Sequence, residues 1–547
     1  MPIRLILAAI LLVLQPAAAW SQVVPEAPIF TAEAVRAHVD FLADDLLEGR
    51  KAGTRGHEIA AHYVAARFTA LGLRPAGTGG GWFQQVPLAE YALDPDKPAS
   101  LTVGGARFGN GEHVLIAPTP RGGNATQSWT AGAVFVGYGL DAPDQHIDDY
   151  AGLDVRGKFV VALNSAPRGF SQAVGEKLVA LDKTAIAAAH GALGILYLLT
   201  PEDLKRTSWA AAAGYILQSQ TNWLSPEGTA GGTDPRIEVG AYIDAEAGKA
   251  LFAGAPVTLD QLLAAPAESK TGPKGFALRP QVTLARTSKV TIVNSPNVLG
   301  ILPGSDPALA SEYVVLSAHL DHLGTDPKLP GPDHIYNGAM DNAVGVATML
   351  EVARAFAEGG KRPKRSILFV AMTGEEEGLL GSQYLARYPV TGTGRLVADV
   401  NLDMPILLYD FKDVVAFGAE HSTMGPIVSR AAASMGVKLS PDPMPQEQFF
   451  VRSDHYSFVQ AGVPSVFLMT GFANGGEKAY RDFLAHNYHQ VSDQTNLPFN
   501  WEAGAKFARI NYLIAREIAD GAEAPRWYEG DWFGDRFAPG QPRAKRP

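Results

Sequence analysis

RSILFVAMTGEEEG, residues 365–378, runs from an apolar, strand-like segment through Gly374 into three consecutive glutamates, Glu375, Glu376 and Glu377. A short apolar run closed by a glycine turn reads as a strand buried on both faces. Three adjacent carboxylates repel one another, so the turn is either a solvated loop or a place where positive charge is supplied. The neighbouring segments decide between the two. KVTIVNSPNVLGILPG (289–304), EYVVLSAHLDHLG (312–324), VGVATMLEVARAFAEG (344–359) and GRLVADVNLDMP (394–405) supply strands and helices in alternation. Alternation of this kind predicts an α/β domain whose largely parallel sheet is covered by helices on both faces.

In such a sheet the strand C-termini share one rim, where ligands bind. One candidate strand ends at His319 and Asp321, a second at Glu375 and Glu376, a third at Asp403. Asp341 precedes a helix in NGAMDNAVG (337–345), and His489 lies in HNYHQVSDQ (486–494). Two imidazoles and three carboxylates form a mixed nitrogen and oxygen donor set suited above all to zinc. Five donors exceed the need of one tetrahedral ion. They suit two Zn2+ ions about 3.5–4 Å apart that share a bridging carboxylate and a bridging water. Glu376 then reads as a metal ligand, and Glu375 as the general base that takes a proton from the water. The ions' charge offsets the repulsion in the glutamate turn, and Glu377 is expected to face solvent. His322, His334, His455 and His486 are assigned to solvent, core or supporting positions.

Upstream, residues 31–50 and 57–73 carry apolar residues at helical spacing and predict two amphipathic helices joined by KAGTRG. From about residue 128 to 280 the texture changes to short β-rich runs and one alanine-rich helix, which predicts a separate small β-rich domain. The first 22 residues hold Arg4, an apolar run from Leu5 to Leu14, and Ala17–Ala19. That is the layout of a secretory signal, and the run is far shorter than the ~20 residues that cross a bilayer. Expected boundaries are a signal peptide at 1–21, catalytic-domain segments at 22–127 and 281–530, an insert at 128–280, and an aromatic and basic tail at 531–547 that packs before fraying. A net charge of −10, from 46 basic against 56 acidic residues, supplies no broad cationic surface for nucleic acid or anionic lipid. No cysteine occurs, which excludes a disulfide framework and a lipid-attachment cysteine.

The pieces SAHLDHLG, GAMDNAVG, TGEEEGLLGS, NLDMP, RSDHYSF and NYHQVSD, in that order, resemble the secreted di-zinc exopeptidase family that includes aminopeptidase Y and the glutamate carboxypeptidases. FLADDLLEGRKAGTRG (41–56) resembles the same family, and residues 134–161 resemble a protease-associated domain. The resemblance implies a three-layer α/β/α catalytic domain with a central, mostly parallel mixed sheet. It implies that His319, Asp341 and Asp403 hold one zinc and Asp341, Glu376 and His489 the other, with Asp341 bridging. Asp321 would accept the second ring N–H of His319, and Asp493 would do likewise for His489. Tyr488 matches a tyrosine that in some relatives hydrogen-bonds the oxyanion. Arg452 matches a substrate-contacting position, and Asp454 is either a loop cap or a substrate contact. Met340 and Val344 depart from the commonest family pattern without removing a ligand.

The expected function is a secreted, periplasmic zinc aminopeptidase acting on peptides, with no stable membrane insertion after signal cleavage. One alternative is a carboxypeptidase or dipeptidase on the same metal site, with Arg452 holding the substrate carboxylate. Another is a transferrin-receptor-like binding module, which the five filled ligand positions disfavour. Oligomeric state is not legible in the sequence.

Overall fold

A computed structural model describes residues 28–167, 169–170, 178, 181–231, 236–264, 272–447 and 449–547. The expected signal peptide at 1–21 lies outside the described residues. The main sheet takes nine strands in a continuous path: β1 (Phe83–Leu93), β2 (Gln220–Trp223), β3 (Val282–Leu302), β4 (Glu312–His319), β5 (Ser366–Met372), β6 (Arg395–Leu402), β7 (Asp413–Phe417), β8 (Lys438–Ser440) and β9 (Ser465–Thr470). Their spatial order is β2-β1-β3-β5-β4-β6-β9-β7-β8. The central strands β5, β4, β6 and β9 run parallel, whereas β1, β2 and β3 pair antiparallel on one side.

Every residue of β5 is buried, as its uninterrupted apolar run predicts. Its side chains alternate between two cores, the period-two consequence of a pleated strand. Ile367, Phe369 and Ala371 face one core, while Leu368, Val370 and Met372 face the other. The first core is covered by α1 (Ala32–Leu42), α2 (Arg55–Ala70), α3 (Val344–Glu358) and α5 (Trp501–Asp520), and the second by α4 (Leu380–Arg387). The α/β/α layering expected from the strand-helix alternation is therefore present. Thr31 and Asn500 cap α1 and α5 by accepting the backbone N–H three residues on.

The predicted first helix ends early. α1 stops at Leu42, and Glu48, Gly49 and Arg50 all take left-handed backbone conformations. The turn delivers the Arg50 side chain inward, where it is 1% exposed. Its guanidinium donates to the carbonyls of Leu320 (2.9 Å), Asn337 (2.6 Å), Gly338 (3.0 Å) and Leu42. One side chain thus ties the end of α1 to the exit of β4 and to the loop before Asp341.

The second lobe has its own six-stranded sheet and cores. Its boundaries differ from those expected. Val114–Ile116 joins this sheet from upstream of residue 128, and β2 leaves the expected insert to pair with β1 of the main sheet. Trp223 anchors that return by donating to Gln383 Oε1 (3.0 Å) and packing on Tyr384 and Tyr388. Four strands of the lobe run parallel, and helices at Lys183–Ala189 and Ala245–Leu251 belong to it, so it is α/β rather than simply β-rich. The tail also differs, since it stays packed instead of fraying: Asp531 and Ala538 are buried, and Arg546 donates to Glu420 O at 2.9 Å.

Arg50→Met leaves four buried carbonyls without their donor and the carboxylates above without a counter-charge. Unfolding free energy from urea midpoints should fall by about 3–5 kcal/mol, the cost of stripping one partner from a buried charge network.

Candidate metal centre

The parallel strands end side by side. His319 closes β4 level with Met372 of β5, Asp403 follows the last residue of β6, and Glu375 and Glu376 lie in the turn after β5. His319 Nε2 lies 3.2 Å from Asp341 Oδ1 and 3.2 Å from Asp403 Oδ1. His489 Nε2 lies 3.0 Å from Glu376 Oε2 and 3.4 Å from Asp341 Oδ2. Asp341 therefore offers one oxygen to each group of donors. Tetrahedral ligation at 2.0–2.1 Å separates neighbouring donor atoms by roughly 3.3 Å; His319, Asp341 and Asp403 offer donor atoms all within 4.8 Å of one another, as do His322, Asp341 and Glu376. All five residues expected as ligands meet here.

The electrostatics fit a cation as well. Burial alone would pull the His319 imidazolium down, but Asp403, Glu375 and Asp341 outweigh it and hold it well above the ordinary histidine range. His489 is likewise raised to about 10 against its burial, by Asp341 and Glu376. The carboxylates outnumber the imidazoles, so the imidazoles retain protons; a divalent ion supplies the same compensation. Burial pushes Glu375 well above the usual carboxylate range, with Asp403 and Glu376 adding to it and His319 opposing. One Glu375 oxygen lies within 4.8 Å of donor atoms of His319 and Glu376.

Local devices hold these groups. Gly338 has φ +59°, and a Cβ there would come within 2.6 Å of the His322 ring. Asn342 donates to Leu402 O (2.8 Å) and accepts from Gly345 N (3.0 Å) and Met404 N (3.3 Å), which fastens the start of α3 to the strand end carrying Asp403. Ser453 donates to Asp403 Oδ2 at 2.7 Å. His489 sits at φ +56°, a strained conformation of the kind found at functional sites. Met340 and Val344, the departures from the family pattern, are buried in the core.

Four expectations are corrected. His319 Nδ1 faces the main-chain oxygen of Asp321 (3.2 Å) and not its carboxylate. The Asp321 carboxylate instead accepts from Glu375 N (3.2 Å) and Glu376 N (3.4 Å), because it lies under the glutamate turn. Asp493 does not reach His489; its two oxygens take the N–H groups of Met340 (2.8 Å) and Asp341 (3.0 Å) and shape the ligand loop. Glu377 is drawn back toward Lys51 (3.3 Å), which leaves its side chain 17% exposed. Asp454 is fully buried and has no face on the cleft, so it is no substrate contact.

The cleft beside the donors is walled by Met404, Phe449, Phe467, Met469, Tyr480 and Tyr488, with Arg452 and Ser453 at its edge. Tyr488 stacks on the His489 ring at 3.8 Å. Arg452 lies over Phe449 (5.4 Å) and pairs with Glu447 (3.6 Å). Arg50 and Asn342 escaped the sequence reading, which named His322 only among the histidines assigned to solvent, core or supporting positions. His322 carried the one available signal, standing directly after the His319–Asp321 pair.

Residues 297–515 match Peptidase family M28. A probable zinc metalloprotease of Pyrenophora teres f. teres is 40% identical over 112 residues, 20% of this chain and 23% of that protein. A probable leucine aminopeptidase of Arthroderma otae is 31% identical over 186 residues, 32% of this chain and 46% of that protein. The chain thus spans less than half the length of these curated relatives. An aminopeptidase structure from Aneurinibacillus sp. strain AM-1 shares 20% identity at a TM-score of 0.48, covering 90% of this chain and 95% of that one. The segment that matches Peptidase family M28, residues 297–515, carries every donor described above.

Proposed function

We propose that this chain is a zinc aminopeptidase with two ions, held by His319, Asp341 and Asp403 on one side and by Asp341, Glu376 and His489 on the other. The observation that carries this reading is the division of Asp341, with Oδ1 toward His319 and Oδ2 toward His489. Zinc bound there supplies Lewis acidity that polarises a peptide carbonyl and makes water a better acid. Glu375 takes a proton from the attacking water and returns it to the leaving amine, so the step is proton-neutral. The Tyr488 hydroxyl, kept protonated because burial pushes its pKa far up, donates to the developing oxyanion. The aromatic and thioether cleft wall accommodates a large apolar N-terminal side chain.

Arg452 supports a second reading, a carboxypeptidase or dipeptidase in which its guanidinium holds the substrate carboxylate. Export through the segment at 1–21, with peptides as extracytoplasmic substrates, belongs to the same proposal. No described helix is long and apolar enough to cross a membrane.

Mixed short peptides, free or N-acetylated, followed by mass spectrometry, separate these readings. Stepwise loss from free N-termini, fastest for leucine or phenylalanine, with acetylated peptides spared, is expected; trimming from the C-terminus establishes the Arg452 reading instead. Glu375→Gln should retain its zinc while kcat falls by about 10²–10⁴; wild-type turnover in that variant overturns the base assignment. Exhaustive chelation should abolish hydrolysis, with full recovery requiring two equivalents of zinc per chain, and recovery complete at one equivalent would refute the paired site.

A further inference from the structure

His322 is absent from the ligand set just proposed, yet it lies inside the centre. Its side chain is fully buried, and its Nδ1 is 2.5 Å from Glu376 Oε1. The other Glu376 oxygen, Oε2, faces His489 at 3.0 Å. Glu376 is thus gripped by an imidazole on each oxygen, the two rings standing edge to face at 5.9 Å. The tautomer follows from the surroundings of the ring. His322 Nε2 is buried with no hydrogen-bond partner among the described residues. A buried N–H without an acceptor costs its full desolvation, so the proton belongs on Nδ1, where a carboxylate receives it.

The ring itself is held in place. A Cβ on Gly338 would meet the main-chain oxygen of Asp341 and come within 2.6 Å of the His322 ring, and His322 N donates to Arg50 O at 3.3 Å. Asp321 holds the Glu376 backbone N–H, so the carboxylate end is the part of Glu376 still free to rotate. Asp341 Oδ2 lies 3.9 Å from His322 Nδ1 and 3.4 Å from His489 Nε2, so His489 is the imidazole nearer to the shared carboxylate. We infer that His322 is a positioning residue: its Nδ1–H fixes Glu376 Oε1 and thereby presents Oε2 alone to the zinc shared with Asp341 and His489. This rests on the metal centre proposed above.

The test is zinc affinity, measured by competition with a chromogenic chelator on full-length wild type and on His322→Leu, His322→Asn and His322→Gln. Asparagine places an amide N–H near the Nδ1 position, and glutamine places one near Nε2. Leucine and glutamine should weaken one of the two bound zinc ions by about 10–100-fold and leave the other unchanged, with asparagine restoring most of the loss. Wild-type affinity for both ions in the leucine variant overturns the inference, as does an asparagine variant no better than leucine. Should the leucine variant not fold, the asparagine and glutamine pair decides. Cobalt substitution gives an independent readout: if the asparagine variant's spectrum shows loss of a nitrogen ligand, His322 is itself a ligand and the positioning role falls. If wild type binds no zinc, the metal centre fails, a result distinct from zinc-binding wild type with indifferent variants.

Discussion

Concentrated negative charge is the constraint around which this centre is built. Asp321, Asp341, Glu376 and Asp493 are crowded at one rim of the sheet, and each is buried or nearly so. Like charges at a few ångströms in a poorly solvated site repel by several kcal/mol per pair. Arg50 answers this from beneath. Burial outweighs the opposing pull of the four carboxylates and leaves its pKa lowered to about 10, which still keeps it charged at neutral pH. Because its N–H groups are spent on main-chain carbonyls, it offsets the charge above without occupying a donor oxygen.

The supporting carboxylates work on the backbone more than on the imidazoles. Asp321 gathers the N–H groups of Glu375 and Glu376, and Asp493 gathers those of Met340 and Asp341. Each fixes the path of a turn whose side chains point into the centre. Hydrogen bonds of this kind, from backbone N–H to carboxylate, are strong and directional. They place a ligand by placing its Cα, which leaves the side-chain oxygens available.

Much of this was legible in the sequence. The alternation of strand and helix from residue 289 onward is a strong periodic signal, and it predicted both the layering and the shared rim. Four of the five donors were found because each follows an apolar run or precedes a helix, and His489 through the resemblance carried by its segment. The partners of those donors were not. Arg50 lies some 270 residues from Leu320 in sequence, and nothing local marks a surface-looking basic residue as buried. Assigning Asp321 to the His319 ring failed for a related reason: a spacing of two residues shows proximity, whereas the choice between carboxylate and main-chain oxygen depends on where the glutamate turn lies above it. The boundary of the second lobe was blurred because β2 returns to the main sheet from within it, and composition does not record which sheet a short strand joins.

The length of β3 has a consequence for how this chain could be recombined. Val282–Ala285 pairs with Ser100–Val103, Ser288–Val298 with β1, and Val298–Leu302 with β5. Val282 and Leu284 pack in the core of the second lobe and Val298 and Leu302 in that of the main one, so at this crossing the two lobes share one uninterrupted strand with no loop between them. Transplanting the second lobe from a relative would place a splice inside β3, and an insertion of a single residue there would turn one half of the strand inside out relative to the other. Exchange between lineages is confined to donors that preserve the residue count of this strand.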